Sequence, residues 1–298
     1  MNEMILNLPS RQIPCSIPDD TELFIIGDIH GRSLALSRCL SEIARTPTVA
    51  DTRRIIVLLG DLIDRGPDSL GVIQQAMEAH NYADLVHILP GNHELMMLDV
   101  LDGSRNSLWL LNGGMAVLDE LNPEWRGMAW RNVIKMVRDG LPDGFEQRLR
   151  DAPSHLVIGD LLCVHAGLHP DRLPEQHLLR DRPHATPDHW ATIRYPALNW
   201  RGGWDWNGRY YTWGNRVVIH GHTPAVRCAV LDDPKVLRDC DGIDEYRALC
   251  LDGGASAYDQ IAWARIWRDG GETRLQIYAA SGAPRADGDL YGENFDAN

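Results

Sequence analysis

Three apolar runs govern what this chain can become. Each stops at a glycine followed by a carboxylate or an amide, and a stretch with helical spacing comes soon after. They are "ELFIIGD" (22–28), "RRIIVLLGD" (53–61) and "DLVHILPGN" (84–92). Short apolar runs without polar alternation belong to strands covered on both faces. The stretches 33–45, 68–79 and 92–101 carry apolar residues at helical intervals, with Asp68 placed to cap the second. A βαβαβα start of this kind predicts a parallel sheet with helices outside.

Beyond residue 101 the alternation breaks. Residues 102–153 read as a helical insert, and 154–167 as a hairpin around Gly159-Asp160. Residues 168–216 hold tryptophans 190, 200, 204, 206 and 213, an aromatic content that argues against disorder. Buried strands are expected at 216–223 and 247–254, and a closing hairpin at 261–280 turns on Asp269-Gly270-Gly271. The expected organisation is an irregular lead-in over 1–20, a single domain over 21–280 with inserts at 102–153 and 168–216, and a frayed tail over 281–298.

The net charge of -13 disfavours non-specific binding to nucleic acid or anionic membrane. No apolar run approaches the roughly 18 residues that span a bilayer. The N-terminus lacks the basic and apolar regions of a signal peptide. The six cysteines are scattered without a CxxC, so a cytoplasmic protein with reduced thiols is expected.

The chemistry lies where strands stop. Five ends carry polar clusters: Gly27-Asp28-Ile29-His30-Gly31, Gly60-Asp61-Leu62-Ile63-Asp64-Arg65-Gly66, Gly91-Asn92-His93-Glu94, His165-Ala166-Gly167 and Gly221-His222-Thr223. The carboxyl ends of parallel strands converge on one crevice. Asp28, His30, Asp61, Asn92, His165 and His222 can therefore meet although nearly two hundred residues separate them. Two carboxylates, three imidazoles and an amide oxygen suit Mn²⁺, Fe or Zn²⁺ better than Ca²⁺. Glycines beside the ligands permit tight turns and close backbone approach. Alone, Asp28 or Asp61 is ordinary turn chemistry, and only the ordered set points to a site. Glu94 reads as a first-turn carboxylate facing its helix dipole. Asn112 with Gly113-Gly114 reads as a loop near the cleft, and His220 as a hydrogen-bonded core histidine.

In this order the motifs GDxHG, GDxxDRG, GNHE, HAG and GHT resemble the phosphoprotein phosphatase group of the calcineurin-like metallophosphoesterases, over roughly residues 23–254. "SLWLLNGG" (107–114) and "GHTPAV" (221–226) are similar to segments of the bacterial and phage lambda-type protein phosphatases. The resemblance implies an α/β fold, a four-layer α/β/β/α sandwich with two central mixed sheets and the site at one edge. It implies two divalent ions, Mn²⁺ first with Fe or Zn as alternatives. Asp28 and His30 would hold one ion, and Asn92, His165 and His222 the other. Asp61 would bridge ions about 3.5–4 Å apart. It further implies hydrolysis of a phosphomonoester by direct attack of a metal-bridging hydroxide. Arg65 would clamp the phosphate and His93, oriented by Asp64, would serve as general acid. The resemblance also implies a second arginine from the segment between HAG and GHT; Arg201 is the candidate, with Arg194 and Arg209 as rivals. Pro90 stands where many relatives place a further arginine. The expected substrate is a phosphoprotein (serine/threonine, or tyrosine) or a small phosphoester. The alternative is a diadenosine-tetraphosphatase-like hydrolase of dinucleoside polyphosphates, its adenine stacked on the tryptophan-rich segment.

Overall fold

A computed structural model describes residues 5–105, 108–170, 172–180, 186–195, 197–199 and 216–282. Two mixed sheets lie face to face. The first takes β1 (Ile5–Asn7), β2 (Arg11–Ile13), β3 (Thr21–Ile26), β4 (Arg53–Leu58), β5 (Leu85–Ile88), β11 (Gln260–Asp269) and β12 (Glu272–Ser281), in the order β1-β12-β11-β3-β4-β5 with β2 also on β12. The second takes β6 (His155–Ile158), β7 (Leu161–Val164), β8 (Val217–His220), β9 (Asp241–Gly242) and β10 (Ala248–Cys250), in the order β6-β7-β8-β10-β9. Within them β3, β4 and β5 run parallel, as do β7, β8 and β10.

The unalternating runs are explained by burial on both sides. Phe24 and Ile26 of β3 with Ile56 and Leu58 of β4 face the helices. Leu23, Ile25, Ile55 and Val57 point the other way, into the core between the sheets. Helix α1 (Ser33–Arg45) buries Leu36, Cys39, Leu40 and Ile43 on the first face. Helix α2 (Ser69–Glu78) begins as expected, Asp68 accepting from the Gly71 N–H at 2.9 Å. Helix α3 (Asn92–Leu101) follows β5 after Leu89, Pro90 and Gly91. The stretch 102–153 supplies α4 (Met115–Leu121), α5 (Trp130–Gly140) and α6 (Phe145–Asp151), which extend this layer.

The outer layer on the second sheet is thin among the described residues. Leu168, Leu178, Trp190 and Ala191 cover Leu162, Val164 and Val218, with only the one-turn α7 (Pro174–His177) helical. Trp190 is a packed core residue, its indole N–H donating to the Leu179 carbonyl at 3.0 Å. The other four tryptophans of 168–216 lie outside the described residues. Residues 1–20 depart from the expected irregular lead-in. β1 pairs Ile5–Asn7 with Tyr278–Ala280, and β2 pairs Arg11–Ile13 with Thr273–Leu275. Pro9, Pro14 and Pro18 cut the segment into pieces too short to show a period, and the open edge of β12 supplies the hydrogen bonds. The six cysteines form no disulfide among the described residues. Among the described residues no helix is long and apolar enough to cross a membrane.

Candidate active site

Parallel strands of both sheets end at one crevice, and the polar clusters sit in the turns they make there. Of seven non-glycine residues with positive φ among the described residues, five are His30, Asp61, Asp64, Arg65 and His222. Such conformations cost of order 1–3 kcal/mol each and persist only where surrounding contacts over-determine them.

Asp61 stands at the centre. Its Oδ2 lies 3.6 Å from His30 Nε2 and 3.8 Å from His93 Nε2, while Oδ1 lies 3.3 Å from His165 Nε2. Asp61 thereby belongs to two potential metal-holding groups, one with His30 and His93 and one with His165 and His222. Asn92 Oδ1 is 3.2 Å from His165 Nε2. Asp28 sits beside the first group, 4.0 Å from His30 Nε2, and accepts from the His222 backbone N–H at 3.0 and 3.1 Å. All six residues expected from the sequence to hold metal are thus gathered in one place. Asp61, His30 and His165 are almost wholly removed from solvent.

Backbone carbonyls set the direction of three of the rings. His30 Nδ1 donates to Ile63 O at 3.0 Å and His165 Nδ1 to Leu59 O at 2.9 Å. His222 Nε2 donates to Thr192 O at 3.2 Å. At His30 and His165 the opposite nitrogen, Nε2, then presents a lone pair to the crevice. At His165 that lone pair faces the Asn92 and Asp61 oxygens, so three electron-pair donors meet. Only a proton or a cation among them satisfies such an arrangement. The donor set therefore fits divalent metal on this structure's own geometry. Electrostatics agree. Burial pushes the Asp61 carboxyl up, yet the imidazoles of His165, His93 and His30 hold it well below the usual carboxylate range. Burial pushes His165 down, but Asp61 raises it to about 10.

His93 differs from the other rings. Its Nδ1 lies 2.6 Å from Asp64 Oδ2, so a carboxylate rather than a carbonyl orients it. Burial opposes its charge, but Asp61 and Asp64 together raise its pKa. Arg65 Nη2 lies 3.3 Å from His93 Nε2, and Arg65 Nε donates to the Asn112 carbonyl at 3.2 Å.

Two glycines show why the motifs read GN and GH. A Cβ on Gly91 would stand 2.1 Å from Asp61 Oδ1, and one on Gly221 would stand 2.0 Å from Asp28 Oδ1. No side chain fits where the backbone passes so close to a carboxylate.

Two neighbours escaped the sequence reading. Glu94 is fully buried, and its oxygens accept from the N–H groups of Gly91, Asp61 and Leu62, each at 2.8 Å. It clamps the turn that presents Asp61 as well as closing the first turn of α3. Trp109 donates to Asp64. The signal for Glu94 and Trp109 was weak, because their partners come from other segments. Asp252, just past the end of β10 as the strand expected at 247–254 implies, is buried beside Asp28. His220 is buried against the Gly221 carbonyl and lies in neither metal-holding group. The preferred second arginine, Arg201, and its rival Arg209 lie outside the described residues. The remaining rival, Arg194, lines the cleft of about 340 Å³ together with Arg65, His93 and Asn112. Its Nη1 donates to Thr223 Oγ1 at 2.7 Å and to His222 O at 3.2 Å.

Comparison with known proteins agrees with this geometry. A family model described as calcineurin-like phosphoesterase matches residues 22–258. Serine/threonine-protein phosphatase 1 of Salmonella typhimurium is 41% identical over 92 residues, covering 31% of this chain and 38% of that protein. A symmetrical bis(5'-nucleosyl)-tetraphosphatase of Acidovorax is 30% identical over 156 residues, covering 52% of this chain and 47% of the relative. The chain thus spans less than half the length of these two curated relatives. A crystal structure provisionally described as a diadenosine tetraphosphatase shares the fold, with a TM-score of 0.51 and 18% identity over 92% of this chain and 100% of the other.

Proposed function

Because this chain belongs to the calcineurin-like phosphoesterase family, a family of metal-dependent hydrolases, we propose that it is a phosphomonoesterase acting on phosphoproteins, at serine/threonine or tyrosine. The observation that carries the reading is the sharing of Asp61 between two histidine groups with the His93–Asp64 pair and Arg65 alongside. Asp28, His30 and Asp61 would hold one divalent ion, and Asp61, Asn92, His165 and His222 the other, with Mn²⁺ the preferred ion. Such a pair supplies charge neutralisation at the phosphoryl oxygens and acidifies water near neutral pH.

The remaining work falls to the protein's own groups. Arg65 offers a planar pair of N–H donors to two phosphoryl oxygens, its guanidinium steadied by Asn112 O. Arg194 lines the same cleft and would supply a second clamp, alongside or instead of the sequence candidate Arg201. His93 keeps its Nδ1 proton on Asp64 and points Nε2 at the cleft. From there it protonates the leaving oxygen as the bond to phosphorus breaks. The carboxylate partner favours the charged imidazole this needs, whereas the carbonyl partners of His30, His165 and His222 bring no charge and fix only which ring nitrogen carries the proton.

A second reading, hydrolysis of dinucleoside polyphosphates, draws on the Acidovorax relative, whose alignment covers more of the chain than that of the Salmonella phosphatase. One preparation assayed with Mn²⁺ against a phosphoseryl peptide, p-nitrophenyl phosphate and diadenosine tetraphosphate separates the two. The expected result is the highest kcat/KM on the peptide. A preference of more than about tenfold (1.4 kcal/mol) for the dinucleotide would replace the first reading by the second.

A further inference from the structure

We propose that Trp109 is a positioning residue for protonation of the leaving group, a part that rests on the reading of His93 as general acid. The Trp109 indole is fully buried, and its Nε1–H lies 3.1 Å from Asp64 Oδ1 and 3.0 Å from Oδ2. The same carboxylate holds His93 Nδ1. Indole nitrogen is a donor only. It pins Asp64 as an acceptor and leaves the proton between Asp64 and His93 on the imidazole.

Asp64 and Arg65 follow one another with φ of 74° and 68°, a turn that needs outside support. Trp109 gives it from one side. Gly114 braces the indole from the other, for a Cβ there would stand 2.6 Å from Cδ2 and Cε2. The kinked turn Leu110–Gly114 that follows Trp109, in which Gly113 takes a φ of 115°, also carries the Asn112 and Gly113 carbonyls that accept from Arg65. One stretch of six residues, 109–114, therefore supports both the acid and the arginine. Phenylalanine at 109 would fill most of the volume but leave the buried Asp64 oxygens short of a donor.

In the reaction, water adds its oxygen to phosphorus and gives up one proton to solvent. The bond from phosphorus to the leaving oxygen breaks with its electron pair retained on oxygen, and His93 Nε2 supplies that oxygen's proton. An alkoxide needs this proton far more than a p-nitrophenolate does.

The test is kcat/KM for a phosphoseryl peptide and for p-nitrophenyl phosphate in Trp109→Phe, with metal content and thermal melting measured alongside. The peptide rate is expected to fall roughly thirtyfold and the aryl rate no more than about threefold, part of the hundredfold or more that a general acid contributes. An equal fall on both substrates, or none on either, overturns the assignment while leaving the proposed function standing. Absence of any leaving-group contrast in His93→Asn would instead remove the general-acid reading, and this inference with it. Should Trp109→Phe fail to fold, the assigned indole N–H resonance of Trp109 decides. Asp64→Asn is expected to move it, and an unmoved signal refutes the contact.

Discussion

Replacing Glu94 with glutamine tests whether one buried carboxylate holds the turn that presents Asp61. Three backbone N–H groups end on it, two on Oε2 and one on Oε1, all at 2.8 Å and out of solvent. Glutamine can keep its carbonyl on the Asp61 and Gly91 N–H groups, but its amide then faces the Leu62 N–H. Leaving one buried donor unpaired costs about 1–3 kcal/mol. Turning two charge-assisted hydrogen bonds into neutral ones costs about 1 kcal/mol each. An opposing effect exists. Burial, and after it the charge of Asp61, push the Glu94 carboxyl up, so removing that charge relieves some desolvation and repulsion. The net expectation is about 3 kcal/mol of lost stability, read by urea unfolding with an unchanged m-value. Loosening a group that orients a ligand should also weaken metal binding roughly 10–100-fold by calorimetry. A loss under about 1 kcal/mol with unaltered metal affinity would show that the three hydrogen bonds do not set the Asp61 geometry.

Other perturbations probe other parts of the site. Gly221→Ala drives a methyl group into Asp28 Oδ1; the variant is expected to lose a metal equivalent and roughly a hundredfold in activity, and full metal occupancy by elemental analysis would contradict this. Arg194→Ala should raise KM for the phosphopeptide roughly tenfold with a smaller change in kcat, and a larger effect from Arg201→Ala would return the clamp to Arg201. Metal-stripped protein should lose stability as pH rises. The buried Asp252 carboxyl is pushed up to about 6, by burial and the charge of Asp61 against the Gly254 N–H. Its folded pKa exceeds the unfolded one, so its contribution is complete below the ordinary carboxylate pKa and disappears as pH climbs through about 6. The change is at most about 3 kcal/mol. Saturating Mn²⁺ should flatten this slope, and stability that increases over the same range in stripped protein would reverse the sign and reject the assignment.

The strands near the site and the identity of its polar residues were readable because they are local. A strand covered on both faces must be apolar throughout, and the turn that ends it is written in the next few residues. Gly60-Asp61 and Gly91-Asn92 announce both the end of a strand and the group it carries. The helices Ser33–Arg45 and Asn92–Leu101 begin and end where the apolar spacing puts them. The strands at 5–7 and 11–13 were not readable, since three-residue pieces have no period and exist only because β12 offers an unpaired edge.

What the chain's order alone determines is which donors stand at strand ends and that they can converge. Tertiary structure decides their partners, because a hydrogen bond links groups with no sequence relation. Glu94 looks like any first-turn carboxylate until Asp61 and Leu62, 33 and 32 residues away, fold over it. Trp109 looks like any apolar residue until its one polar atom meets Asp64, 45 residues back. Local sequence encodes which atoms are available; only the closed fold brings an acceptor and a donor from distant turns to the 3 Å at which they act.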